Sequence, residues 1–475
     1  MDIVPHKNIR IYSLLMKCFK TFLFLLFLLA AMLLSATDLH VLYTTDLHGH
    51  LEKIPAIAPA LRQYGKDCIR IDAGDTLSGT FEADRLAGKT MIQLLNMLDY
   101  DIWVPGNHDF EMPLETFRKR AGEFKGTVLG AQWKWQSYTP EKWRMFQKKG
   151  YRIAVIGLTA PSMPHRILDP EQDGVFQQAY HTLKKLLPKI RKQRPDAIIL
   201  VMHNGMYAKY FGASAAARAF PEINLILGGH SHQEEQGRNL FSSYFVQAGC
   251  HANAVADITI RFDDRTRRIK QIRSNLIYPE KGVEDSEIKA FVDPVLHQLK
   301  TVKYQRAGTA LQPLRLPARR EKRSALGEIC AKALLDCTGA DAALARLRTF
   351  PEPEKAIQHF NELDLFRFFP YRNRICTIEI EKDDFAELAQ SIALQYKNKK
   401  RLSIFAGDLS YDWKNGELHS SRSKITLALT DFTLVSTPVF LRKIQSGSGK
   451  LKIYPITERA LFRRQLRKAP AKHNQ

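Results

Sequence analysis

The sequence predicts an α/β protein, and three observations predict it. Short apolar runs rich in β-branched residues alternate with stretches of helical periodicity between residues 39 and 232. Five of these runs stop at a polar, glycine-containing segment. Hydrophobic residues make up 45% and charged residues 25% of the 475, the balance of a globular chain rather than of a collagen, a rod or a disordered polymer. The length suits about three domains. Only one apolar run is long, which excludes a multi-span membrane protein.

That run covers residues 22–34 and follows Lys7, Arg10, Lys17 and Lys20. Its 13 residues are short for a bilayer but suit the core of a signal peptide, and Ser35-Ala36 supplies small residues for cleavage. A cleaved signal over 1–36 and a periplasmic or secreted protein are therefore expected, with an N-terminal membrane anchor as the alternative. Cleavage removes four basic residues and Asp2, leaving +19 of the +22 net charge. Beyond Cys18 there are five cysteines, Cys68, Cys250, Cys330, Cys337 and Cys376, with no CxxC spacing. They read as buried thiols rather than a disulfide framework, with room for one chance bridge.

The predicted strands, in order, are Leu39–Thr45, Cys68–Ala73, Asp101–Pro105, Ala197–Met202 and Ile223–Leu227. Helices are predicted between them at Thr90–Leu98, Ala179–Gln193 and Ala213–Ala219. The strands end, respectively, at Asp46-Leu47-His48-Gly49-His50, Gly74-Asp75, Gly106-Asn107-His108-Asp109, His203-Asn204-Gly205 and Gly228-Gly229-His230-Ser231-His232. Sites in layered α/β proteins form beyond the carboxyl ends of strands. A single histidine there is usually an ordinary loop residue, but five such ends in order define one site. Its oxygen and nitrogen donors suit Zn, Mn or Fe better than Ca. Seven ligands sharing one carboxylate fit two ions about 3.5–4 Å apart.

DLHGH, GD, GNHD, HNG and GGHSH, in this order, resemble the calcineurin-like metallophosphoesterase superfamily, and within it the secreted 5′-nucleotidase and UDP-sugar hydrolase family. The resemblance implies an N-terminal β-sandwich of α/β/β/α layers over 37–275, a connector over 276–310 and a C-terminal α+β substrate-binding domain over 311–475. It implies two divalent metal ions: Asp46, His48 and His232 on one, Asn107, His203 and His230 on the other, and Asp75 between them. It also implies attack on phosphorus by a metal-held hydroxide. His108 would then stabilise the transition state and protonate the leaving oxygen. GNHDFE stands where the family usually reads GNHEFD, so Glu111 takes the position of the carboxylate that orients His108. Asp109 reads as structural and His50 as a supporting residue near the site.

The C-terminal half departs further from the family. Ser286–Lys303 and Ser324–Thr338 read as helices. Phe368-Phe369-Pro370-Tyr371-Arg372-Asn373 resembles the family's PFxN turn, but the glycines of its NGGxIR substrate loop are absent. Arg346, Arg348 and Tyr371 are the substrate-binding candidates there, with Phe405 and Tyr411 as candidates for an aromatic clamp. Basic residues cluster at 315–323, 397–401 and 463–472 without any nucleic-acid-binding motif, so a specific nucleic acid is not expected. An anionic envelope surface is a possible partner. The expected function is an exported 5′-nucleotidase-like phosphohydrolase acting on a nucleotide or other small phosphate ester. The alternatives are a 2′,3′-cyclic phosphodiesterase, a UDP-sugar hydrolase or another envelope phosphoesterase, and, from a different class, a non-catalytic polyanion-binding surface protein.

Overall fold

The computed structural model describes residues 16, 19–21, 36–134, 138–160, 175–176, 178–208, 211–318, 324–349, 354–385, 387–388, 401–407, 410–412, 417–419, 422–437, 440 and 449–466. The run at 22–34 and most of the three basic clusters lie outside them. Among the described residues no helix is long and apolar enough to cross a membrane.

Two six-stranded sheets form the N-terminal part. The first runs, edge to edge, Ile269–Ile277, Val255–Asp263, Ala36–Thr44, Cys68–Asp72, Ile102–Trp103 and Thr127–Val128. The second runs Glu234–Leu240, Ser243–Ala248, Leu225–Leu227, Ala197–Met202, Tyr151–Leu158 and Trp143–Lys148. The five predicted strands are therefore split three and two between the sheets. Alternating side chains explain the layering. Val41, Tyr43, Ile69 and Ile71 face Ile153, Val155, Ile199 and Val201 in a core between the sheets. Leu42 and Trp103 point the other way, into helices Ile54–Arg62, Lys89–Met97 and Leu114–Glu123. Ile198, Leu200 and Met202 pack on helices Ala179–Arg191 and Ala213–Ala219. The result is the α/β/β/α sandwich.

The central strands are parallel. Ala36–Thr44 pairs with Cys68–Asp72 from His40↔Cys68 to Thr44↔Asp72, and Ala197–Met202 lies between Tyr151–Leu158 and Leu225–Leu227. Parallel pairing gathers the carboxyl ends of each sheet at one edge. The strand expected over Asp101–Pro105 is only Ile102–Trp103. Val104 N–H still reaches Asp72 O at 2.9 Å, but Pro105 has no N–H with which to continue the ladder.

Helix Ser286–Tyr304, in the expected connector, buries Ile288 and Val292 in the helix-covered core of the first sheet. Beyond it lies a five-stranded sheet in the order Arg401–Gly407, Ala342–Arg348, Lys424–Thr430, Arg374–Glu381 and Leu451–Thr457. Helices Ala325–Thr338 and Glu458–Gln465 cover one face of this α+β part. Ser324 caps the first through Gly327 N–H, and Gly339, in the left-handed region at φ 66°, ends it. Cys68, Cys250, Cys330, Cys337 and Cys376 are all free, so no chance bridge forms among them; Cys250 and Cys337 are only half-buried.

Candidate metal centre

The carboxyl ends of the strands place the predicted donors in one cleft. The loops that carry them are unusual. Asp46, His48, Asp75, His230 and His232 all have left-handed backbones, at φ 52°, 47°, 53°, 67° and 57°. Residues other than glycine seldom hold this conformation, and it concentrates where a site over-determines the backbone. The loops brace one another. Asp46 N–H donates to Gly74 O at 2.8 Å and His48 N–H to Asp75 O at 2.7 Å. The buried Asp109 carboxylate accepts from the backbone N–H of Asp75, Thr76, Leu77 and Gly106 at 2.7–2.9 Å. Gly106 must be glycine, because a Cβ there would lie 2.3 Å from Asp75 Oδ1 and 2.7 Å from His203 Cε1.

Asp46, Asp75 and His203 form a fully buried floor, while His230 and His232 stand exposed at the rim. His203 Nε2 is 3.0 Å from Asp75 Oδ2 and 3.9 Å from Asp46 Oδ1. His48 Nε2 is 3.9 Å from Asp46 Oδ1, 3.8 Å from Asp75 Oδ2 and 3.0 Å from His232 Nε2. Among the donor groups suited to a cation are Asp46, His48 and Asp75, and Asp75, His203 and His230, each with its ligand atoms within 4.8 Å of one another. Asp75 belongs to both.

The fit to metal ions rests on polar atoms without hydrogen-bond partners. Asp75 Oδ2, Asn107 Oδ1 and His203 Nε2 are buried and make no hydrogen bond; the short approach of His203 to Asp75 lacks hydrogen-bond geometry. Buried atoms of this kind are rare unless something else satisfies them. His203 Nδ1 donates to Ala73 O at 2.6 Å, which turns Nε2 toward the cleft. Burial works against a charged His203, yet the Asp75 and Asp46 carboxylates raise its pKa to about 10. Asp75 is held well below the ordinary carboxylate range: burial opposes this, and His203 and His108 outweigh it. So much negative charge in a buried floor suits cations.

His108 begins the short 3-10 turn His108–Glu111. Its N–H donates to Asp75 Oδ1 at 2.7 Å, and its ring Nδ1 lies 2.6 Å from Glu111 Oε1. Tyr371, from the C-terminal part, stacks over His108 with ring centroids 5.6 Å apart and planes at 24°. His50 lies beside the site, its Nδ1 2.7 Å from Glu52 Oε1.

The other substrate candidates are less gathered. Residues 342–348 are a strand, not a loop replacing NGGxIR. Half-buried Arg346 donates to Ser436 Oγ at 3.2 Å, and exposed Arg348 stands at the strand's end. Both line, with Tyr371 and Asn373, a small cavity of about 30 Å³. Phe405 pairs through its backbone with Leu344, and Tyr411 with Leu418 in a two-stranded ribbon; their side chains lie outside the described atoms.

Two features were missed in the sequence. Asp84, on the short helix Phe81–Arg85, is gripped from the C-terminal part by Arg372 Nε and Arg459 Nη1, each at 2.8 Å. Nothing in the local sequence signals contacts across 288 and 375 positions. His251, beside His48 and His232, had a signal: it follows a sixth apolar run that ends at Gly249.

Fold and donors together define a two-sheet α/β domain with a cleft of cation-type donors at its strand ends. Residues 39–234 match the model of the calcineurin-like phosphoesterase family. The chain is 29% identical over 220 residues to Protein UshA of Escherichia coli, covering 40% of each chain. It is 28% identical over 237 residues to a 5′-nucleotidase of Vibrio cholerae, covering 44% of this chain and 43% of that one. The matched region thus spans about two-fifths of these relatives' length. A Staphylococcus aureus protein described as a candidate 5′-nucleotidase superposes over 90% of this chain and 96% of its own, with a TM-score of 0.73 and 17% identity, a likeness of fold.

Proposed function

We propose that this protein is an exported two-metal phosphohydrolase of the 5′-nucleotidase kind, releasing phosphate from a nucleotide or similar small ester. The observation that carries this reading is the trio of buried, unsatisfied donors, Asp75 Oδ2, Asn107 Oδ1 and His203 Nε2, beside a histidine already oriented by a carboxylate. Asp46, His48 and His232 would hold one ion, Asn107, His203 and His230 the other, and Asp75 both. Bound there, the ions supply a nucleophilic hydroxide at neutral pH and offset charge on the phosphoryl oxygens. The chain's own residues do the rest. Glu111 accepts from Nδ1–H of His108, and His108 in its imidazolium form would pass its Nε2 proton to the departing oxygen. Tyr371 of the C-terminal part stacks on His108, so the C-terminal part, taken as 311–475, would meet the portion of the substrate beyond the phosphate. Zn, Mn or Fe fits the donor types. Export rests on the basic and apolar pattern of residues 1–36.

The test uses mature full-length protein, stripped of metal and reloaded with Mn or Zn. Its hydrolysis of nucleoside monophosphates, a cyclic nucleotide, a UDP-sugar and p-nitrophenyl phosphate is then measured. Metal-dependent release of phosphate, fastest from a nucleoside monophosphate, is expected. No turnover of any of them by protein carrying two ions would overturn the reading.

A further inference from the structure

Five strand ends carry the expected ligands, and a sixth points into the same cleft. Strand Ser243–Ala248 lies parallel to Leu225–Leu227 in the second sheet and runs into Gly249-Cys250-His251. His251 shares the backbone of the ligands, with φ at 58°, and its N–H donates to Asp46 O at 2.7 Å. Its ring centroid lies 5.5 Å from that of His48 and 5.4 Å from that of His232. One ring nitrogen from each of His48, His232 and His251 lies within 4.8 Å of the other two.

We propose that His251 is a further ligand of the first ion, beside Asp46, His48, Asp75 and His232. This rests on the two-ion reading above. The first site then offers three imidazoles and two carboxylates. The second offers two imidazoles, an amide oxygen and the shared carboxylate. Zinc accepts five donors as well as four, and three imidazoles shift the first site toward Zn, Fe or Cu and away from Mg or Ca. The two sites therefore differ in nitrogen content, and the ion most strongly selected is the one at the His251 side. The competing account is that His251 only packs, because its ring also lies 4.6 Å from that of His50, at 47°.

The experiment titrates Zn into metal-free full-length protein by calorimetry, comparing wild type with His251→Gly and His251→Phe. Glycine suits the left-handed backbone and removes the ring, while phenylalanine keeps a ring without nitrogen. Melting of the metal-free proteins checks their folding. If His251 is a ligand, one of the two binding steps weakens at least ~10-fold in both variants, and phenylalanine rescues nothing. Two unchanged steps, or rescue by phenylalanine, would overturn the proposal while leaving the two-ion reading intact. Wild type that binds no Zn overturns both. A crystal structure of the Zn-loaded wild type gives a measurement independent of variant folding: a His251 nitrogen about 2.0–2.1 Å from zinc is expected, and one more than about 3 Å away refutes it.

Discussion

The metal cleft and the substrate side of the molecule are built to different tolerances. In the cleft, donors from several strand ends meet within a few ångströms, most of them on backbones held in the left-handed region, with Asp109 lacing the loops together. On the C-terminal side, Arg346 and Arg348 sit on a regular strand, and Tyr371 stacks on the cleft residue His108. An ion dictates donor type and distance, whereas a substrate's outer portion can be met by many side chains on many elements. The difference teaches that the chemistry is fixed here and the specificity is free to drift.

Asp75→Asn is the strongest way to break this contrast. It removes negative charge from the only carboxylate shared by both donor groups. Metal affinity should fall by more than ~100-fold, beyond what loss of an outer-shell partner costs, and turnover with it. Two retained ions with near-normal turnover would show that the cleft is not built around Asp75. Next in size is His108→Ala, which should keep both ions yet lose ~10²–10⁴-fold in kcat. The loss should shrink on p-nitrophenyl phosphate, whose leaving group needs no proton, and Glu111→Gln should lose less. Equal losses on aryl and alkyl phosphates would remove the proton-transfer role.

Much of the cleft could be read from the chain because each strand end keeps its donor within a few residues of a glycine or proline. GNHD, for instance, packs a close-approach glycine, a buried amide oxygen, the Glu111-paired histidine and the clasping Asp109 into four positions. The division of the strands between two sheets was legible only through the family resemblance, because runs such as Ala197–Met202 are buried on both faces and look alike in either sheet. His251 escaped because Gly249-Cys250-His251 lies beyond the last familiar motif. The Asp84 clasp could not be read at all: a lone aspartate on a five-residue helix gives no hint of two arginines arriving from the other part of the molecule.

That clasp links the two regions, and Asp84→Ala should show how. Arg372 and Arg459 would both lose their carboxylate. Breaking a fully buried pair costs about 3–5 kcal/mol, but the side chains of Arg372 and Arg459 are 30% and 19% exposed, so a loss of ~2–3 kcal/mol is expected in denaturant unfolding. Metal content should stay at two ions and KM should rise, because Arg372 follows Tyr371 directly and its grip on Asp84 helps hold that ring over His108. An unchanged KM would mean the clasp holds the parts together without placing Tyr371.

The smallest effects expected are at Tyr371 and the two arginines near it, and Tyr371 decides to which region its ring belongs. Its ring stacks on His108 and its residue also lines the cavity with Arg346 and Arg348. An aromatic pair contributes about 0.5–1.5 kcal/mol beyond buried area, so Tyr371→Ala should change a kinetic constant by roughly 2- to 12-fold. Tyr371→Phe keeps the stack and should lie close to wild type. If the ring serves the substrate, KM rises for a nucleotide while KM for p-nitrophenyl phosphate, which has no nucleoside portion, stays put. Arg346→Ala and Arg348→Ala should share that signature more weakly, Arg348 least, because its side chain stands in solvent at the end of its strand. If Tyr371→Ala instead lowers kcat equally on both esters and shifts its pH profile, the ring acts by holding His108. It would then belong to the cleft, and the boundary between fixed chemistry and drifting specificity would run beyond residue 371.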